Sequence, residues 1–503
     1  MDTPRTPDEP APDMPPRPSV PAPAVVLVLG EKVAAGAGDD LDRVLDDNLD
    51  LLGPLRDFLA RNKVPRVERV VTALSVGELL EAEREAADDP DFAPLESLTR
   101  YWRIDLAGLD GVKSAEQLVE ELLAGERDRA ASERGVVNAY VESAAQSPGA
   151  PAAIGALTVQ SGQGWLRPGE EGVNAWAAWD HRGGRGEDIR VVDVEQGWQF
   201  THPDVDGLAG TAPLVHRNRF DESPSEGDHG TSVLGILVGR TNGVGGTGIV
   251  PRATVRTCSH YDGGTVMRTV DAILVARNDL AAGDVLLLEV HLPHTGYLCA
   301  EADDATFHAI RLAAAKGIVV VEAAGNGAAD ISLWRSTAGR RLSRDVPAED
   351  SGAIVVGACW QEVETDGGVT GHAYHGAARS NYGARVDCYA WGDGVRAPVV
   401  GTRGGAHGPF GGTSAAAAII AGVAAAVQGM VVAAGGPRLR TKAMRDLLRD
   451  TPGTGQVPVA STFLIGVMPD LGRLATAVGA LPVQEATGSS TATTVPDGPE
   501  CSS

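Results

Sequence analysis

The chain of 503 residues has only five cysteines, Cys258, Cys299, Cys359, Cys388 and Cys501. They are too few and too scattered for a disulfide framework. None stands in C-x-x-C spacing, which argues against a zinc ribbon, and the odd count leaves at least one thiol unpaired within the chain. Basic residues are outnumbered, 43 Lys and Arg against 67 Asp and Glu, for a formal net charge of −24. A surface that acidic repels phosphate backbones, so nucleic acid is not an expected partner. The N-terminus lacks the basic start and apolar core of a secretory signal. Cytoplasm is therefore the default expectation for location, with export the open alternative. No internal repeat is visible, and long apolar runs are absent with one exception. Ser414–Gly436 is interrupted only by Gln428 and is about as long as a membrane span.

What remains is a chain with an apolar share of 43%, enough to bury sizeable cores. Its acidic excess is uneven: residues 1–150 hold 30 acidic and 16 basic side chains. Residues 1–24 are Pro-rich and poor in apolar surface, and read as a disordered leader. Residues 25–146 form an acidic N-terminal α+β domain. Its strand patterns are Val25–Gly30, Arg66–Ala73, Thr99–Leu106 and Gly135–Glu142. Helical patterns fall at 41–62, broken or kinked by Pro54, at 76–87, and at 114–125 with Ser114 and Gln117 as a capping box. A linker follows at 147–168, then a large domain at 169–480 and a loose tail at 481–503.

In the large domain, apolar strands at Ile189–Val194, Thr254–Cys258, Val285–His291, Gly317–Ala323 and Ala353–Ala358 are joined early on by helices at about 230–240, 266–282 and 303–316. Near-continuous Val, Leu and Ile runs between helices predict an α/β fold, a doubly wound parallel sheet covered on both faces. Ligands gather at the strand–helix junctions of such a sheet. Four junctions carry chemistry. Asp193 closes a buried strand, and an isolated carboxylate there needs a partner. His229 opens a helix between Asp228 and the small Gly230. Asn326, between Gly325 and Gly327, can donate to a developing oxyanion. Ser414 follows Gly411-Gly412-Thr413 at the mouth of the long apolar helix, where free backbone N–H groups favour negative charge. Each has a bland structural reading by itself: a loop-fixing Asp, a core His, a turn Asn, an N-cap Ser. In the chain order Asp193, His229, Ser414 they form the set that acyl transfer requires: an orienting carboxylate, a base and a nucleophile, with a donor for the oxyanion. The apolar helix is then a buried central helix rather than a membrane span.

These residues resemble the subtilisin-like serine proteases (subtilases) over about 165–480. Asp228-His229-Gly-Thr-Ser-Val-Leu-Gly235 is similar to the family's His motif, Gly412-Thr-Ser414-Ala-Ala-Ala-Ala-Ile-Ile-Ala-Gly422 to its Ser motif, and Ala324-Gly325-Asn326 to its oxyanion motif. Departures are equally specific. The family follows its Asp with Ser or Thr and then Gly, whereas here Asp193 is followed by Val194-Glu195-Gln196-Gly197. Ala418 replaces a Pro in the Ser motif, and Glu289-Val290-His291-Leu292-Pro293 replaces a Ser-Leu-Gly strand beside the substrate.

The resemblance implies a serine endopeptidase acting on polypeptides through an acyl-enzyme, with catalytic Asp193, His229 and Ser414 and oxyanion donor Asn326. It requires no cofactor and names no metal ligand, although structural Ca²⁺ is common among relatives. It also implies that the N-terminal domain is a ferredoxin-like pro-domain that inhibits the enzyme, with cleavage near 143–165 activating it. Two alternatives stay open. One is a catalytically silent peptide-binding protein on the same scaffold. The other is a sedolisin-like peptidase with Glu in place of His, to which Glu195 lends some weight. A membrane protein is the remote third.

Overall fold

The computed structural model describes residues 24–483 apart from 34–39, 65, 93–95, 107–112, 131–132, 143–162, 169–171, 210–212, 216–223, 243–245, 262–266, 367–368, 377–378, 401–406, 451–454 and 457–463. The expected leader apart from Ala24, residues 143–162 of the expected cleavage region 143–165, and all but the start of the tail lie outside the described residues.

Strand β1 (Ala24–Leu29) is apolar at every position and buried on both faces, as the central strand of a sheet must be. It lies between β3 (Tyr101–Asp105) and β4 (Val136–Glu142), with β2 (Val67–Arg69) outside β3, all antiparallel in the order β2-β3-β1-β4. Because side chains alternate, Val25, Leu27 and Leu29 face the helices α1 (Leu41–Asp47), α2 (Leu49–Arg61) and α4 (Ala115–Ala124). Val26 and Val28 join Tyr101 and Tyr140 in the core of the large domain. Ser114 and Gln117 cap α4 reciprocally, as their spacing predicts.

Pro54 does not break the 41–62 helix; the break comes at Asn48, and Pro54 sits inside α2. The carbonyl that Pro54 leaves without its helical donor is that of Asp50, and the Arg129 guanidinium donates to it at 3.0 Å. The expected strand 66–73 is also cut to three residues. Thr72 and Ala73 instead aim their N–H groups at the Asp271 carboxylate, at 2.7 and 2.8 Å.

The large domain holds a parallel sheet in the order β6 (Leu214–Val215), β7 (Thr254–Ser259), β5 (Arg190–Glu195), β8 (Val285–Leu288), β11 (Val319–Ala323), β12 (Ile354–Asp366) and β14 (Cys388–Trp391). Strand β13 (Val369–Gly376) adds an antiparallel hairpin to the extended end of β12, which runs well past Ala358. The N-terminal domain rests on α7 (Thr269–Asp279) through Asp271 and on α8 (Asp304–Ala315) through its helix α3 (Val76–Ala87) and Tyr140. A short helix α5 (Ala175–Trp179) precedes β5, and β9 (His291–Leu292) pairs with β10 (Leu298–Cys299). Helix α6 (Pro224–Val238) packs on α9 (Gly412–Ala433). The long apolar run is α9, and every residue from Thr413 to Val431 is buried inside the protein. Its Ala-rich surface permits close packing against four strands.

At one point that packing is backbone to backbone. A Cβ on Gly429 would stand 2.1 Å from the carbonyl oxygen of Gly183, which is itself held at φ +81°. Gly429→Ala is therefore expected to destabilise the protein by roughly 1–3 kcal/mol, measured as a lowered denaturation midpoint. An unchanged midpoint would show that this crossing tolerates a methyl group.

Candidate active site

Asp193 and Glu195 lie two residues apart on β5 and so project from the same face. At about 3.3 Å per residue, Glu195 stands roughly 7 Å closer to the strand's C-terminal edge, where α6 crosses. His229 lies inside α6 rather than at its start, since the helix begins at Pro224. Its neighbour Gly230 permits the crossing. A Cβ there would fall 2.2 Å from the Gly197 carbonyl and 2.6 Å from the Trp198 ring.

The imidazole Nδ1 of His229 meets Glu195 Oε1 at 2.6 Å, with both side chains buried. The anticipated Asp193–His229 pair is not formed. Asp193 sits one pleat too deep and accepts instead from the Trp198 indole N–H at 2.8 Å. Burial, then the nearby charge of Glu195, pushes the Asp193 carboxyl well above the usual carboxylate range. The sequence carried a signal for Glu195. The family's acid is followed by one residue and then Gly, and Glu195-Gln196-Gly197 has that spacing whereas Asp193-Val194-Glu195 does not.

Ser414 lies in the first turn of α9, buried, after Gly412 at φ +76°. Its backbone N–H is among those that a helix start leaves without an intrahelical partner. Asn326 follows β11. Its Oδ1 accepts from both the N–H and the hydroxyl of Thr413, each at 3.0 Å. With its carbonyl so engaged, the amide presents Nδ2 on the side of Gly412, 3.1 Å from where a Cβ would stand. The Thr413 hydroxyl also accepts from Gly325 N–H at 3.2 Å, tying the Gly325–Asn326 turn to the start of the apolar helix. Sequence reading assigned Thr413 no part in this.

Phe410 meets the His229 ring edge-on at 5.1 Å between centroids. The segment after β8 completes the cluster. Glu289 is fully buried, and ligand atoms of Glu195, His229 and Glu289 lie within 4.8 Å of one another. His291, two residues on, is pressed down to about 3 by burial and then by His229, which leaves its imidazole neutral.

Two further groups of ligating side chains occur among the described residues, His202–Asp204–His407 and Cys299–Glu301–Glu322. All three groups include a nitrogen or sulfur donor, whereas calcium favours six to eight oxygens. None of the side-chain groups therefore fits the calcium common among subtilases.

The profile of the Subtilase family matches residues 196–464, and the chain belongs to that family. It is similar to a subtilisin-like protease of Coccidioides posadasii (strain C735), at 28% identity over 249 residues, 48% of this chain and 51% of that protein. It is equally similar to alkaline elastase YaB of Bacillus sp. (strain YaB), at 28% identity over 253 residues, 49% of this chain and 56% of that protein. The chain thus spans about half the length of the curated relatives it matches. Among solved structures, fervidolysin from Fervidobacterium pennivorans, a keratinolytic enzyme related to subtilisin, shares the fold. Its TM-score is 0.54 at 18% identity, over 94% of this chain and 63% of that one.

The short His229–Glu195 contact predicts a strongly downfield proton resonance from His229 Nδ1–H. It should vanish in Glu195→Gln and persist in Asp193→Asn; the reverse pattern would reassign the imidazole's partner.

Proposed function

We propose that the protein is a serine endopeptidase whose orienting acid is Glu195. His229 takes the proton of Ser414 as its oxygen attacks a peptide carbonyl, and Glu195 fixes the tautomer and stabilises the imidazolium. Asn326 Nδ2 and the Ser414 backbone N–H donate to the tetrahedral oxyanion. The imidazolium then protonates the departing amine, leaving an acyl-enzyme. A water molecule, deprotonated by His229, attacks the ester and releases the second product. No step draws on a cofactor.

The observation that carries this reading is the 2.6 Å contact between Glu195 and the imidazole. It also weighs against a sedolisin-like scheme, in which no histidine would stand between the acid and the serine. Asp193 is left with a supporting task, holding Trp198 beneath the Glu195–Gly197 turn.

We infer further that the N-terminal domain inhibits the enzyme until it is cut away near 143–165. Its docking supports this reading. Besides the Asp271 contacts, Glu68 pairs with Arg268 at 2.6 Å, Glu85 with Arg277 at 3.2 Å and Glu96 with His308 at 3.2 Å. Acidic groups of the small domain thus face basic groups on or beside α7 and α8.

A fluorophosphonate probe should label Ser414 in the purified protein. Absence of that adduct, before and after limited proteolysis, would favour the silent peptide-binding alternative. Glu195→Gln should lower kcat on a peptide substrate by about 10³–10⁴, and Asp193→Asn by less than about tenfold; equal losses would return Asp193 to the catalytic set. Intact-mass measurement tests maturation: wild type should appear as a shortened chain and Ser414→Ala as the full one. Identical masses would rule out self-processing.

A further inference from the structure

Two carboxylates, Glu195 and Glu289, are fully buried beside one imidazole, and a third, Asp193, is fully buried one pleat deeper on β5. His229 can balance one of them, and Glu195 holds that place. Among the described residues neither Asp193 nor Glu289 pairs with a Lys or Arg. Two anions this close in a medium without water cannot both stay ionised.

Glu289 is fixed by its backbone, whose N–H donates to the Val194 carbonyl at 3.2 Å, so its side chain cannot drift away from the end of β5. Around it stand Asp193 and Glu195 from β5 and His229 from α6. The Ser414 hydroxyl at the start of α9 is buried as well, and neither it nor either Glu289 oxygen has a hydrogen-bond partner among the described residues. His291 lies two residues along its own segment, and its imidazole is neutral. Strand β11 brings Glu322, which is engaged with Glu301 and Arg385 instead. Burial, followed by Glu195 and Asp193, raises the Glu289 carboxyl well above the ordinary range, with only Ser414 opposing.

We propose that Glu289 is a positioning residue that serves catalysis as a protonated acid, and that its ionisation disables Ser414 and sets the upper pH limit of the enzyme. The inference rests on the serine endopeptidase reading above. The physical reason is competition for one proton. A carboxylate beside the serine would accept its O–H in a charge-assisted hydrogen bond and turn it away from His229. It would also place a second negative charge beside the forming oxyanion. A neutral carboxyl does neither. No bond is made or broken at Glu289: in the active form it keeps its proton, and above the limit it loses that proton to solvent.

The test is the rate constant for fluorophosphonate labelling of Ser414 in the protein after maturation or limited proteolysis, followed from about pH 5 to about pH 10. In the wild type it should rise as His229 deprotonates, then fall about tenfold per pH unit beyond the alkaline limit. Glu289→Gln, a neutral isostere, should keep the acid limb and lose the alkaline fall. Glu289→Ser, the smaller residue of related chains, should do the same and serves if the first variant folds poorly. A wild type with no alkaline fall overturns the proposal. So does a variant that retains the fall, or a folded Glu289→Gln protein that is inert at every pH, which would make Glu289 itself the base. A wild type that never labels would instead bring down the endopeptidase reading.

Discussion

One imidazole stands beside two buried carboxylates, with a third one pleat deeper on β5, and the rest of the site is arranged to make that tolerable. The 2.6 Å contact of His229 with Glu195 pairs the one cation the site can generate with a buried carboxylate at hydrogen-bond distance. Asp193 accepts from the Trp198 N–H, and burial and then Glu195 raise its carboxyl well above the usual range. The protein handles buried acids differently where no chemistry is asked of them. Arg385, fully buried, bridges Glu301 and Asp387 with contacts of 2.7 to 2.8 Å, so those charges are matched within one rigid network. Such pairing is absent around Glu289, and an unmatched acid beside a nucleophile marks a functional group more than a stabilising one.

The scaffold that holds this cluster is built from close approaches that only small residues allow. Helix α9 is buried almost from end to end, and its first turn is braced to the oxyanion turn through Thr413. Gly230 lets α6 lie on the loop after β5, which brings His229 to Glu195. A methyl group at either crossing would separate elements whose side chains must meet within a few tenths of an ångström. The N-terminal domain leans on α7 and α8, two helices whose neighbouring strands lead into the site, so its docking bears on the same framework.

Much of this was legible in the sequence. Strict alternation of apolar strands and helices gave the parallel sheet, and the burial of α9 followed from polar chemistry at the mouth of an apolar run. Ser114 and Gln117 announced their capping box. The motifs around His229, Asn326 and Ser414 mark segments that the fold does bring to one edge of the sheet. The partner of His229 is harder to read, because the hydrophobic run does not mark the strand's end. The run of Val191, Val192 and Val194 suggests a strand that closes on Asp193, but hydrogen bonding continues through Glu195 opposite Ser259. Periodicity says which face a residue takes, not how far along that face the partner helix crosses. Pro54 was misjudged for a similar reason: the guanidinium that satisfies the freed carbonyl lies 79 residues away.

Glutamate at position 195 also explains why the neighbouring replacements belong together. Its side chain is one methylene longer than aspartate, about 1.5 Å of added reach, so the imidazole it holds stands farther from the strand than an aspartate would place it. The segment after β8 borders that space and carries the fully buried Glu289. Glu289 thereby brings a second buried carboxyl within 4.8 Å of the imidazole and of Glu195. His291 adds no charge beside them, because burial and the charge of His229 keep it neutral. The longer acid and the acid beside the nucleophile are thus one coupled change to the site, and a substitution at either position alters the electrostatic setting of the other.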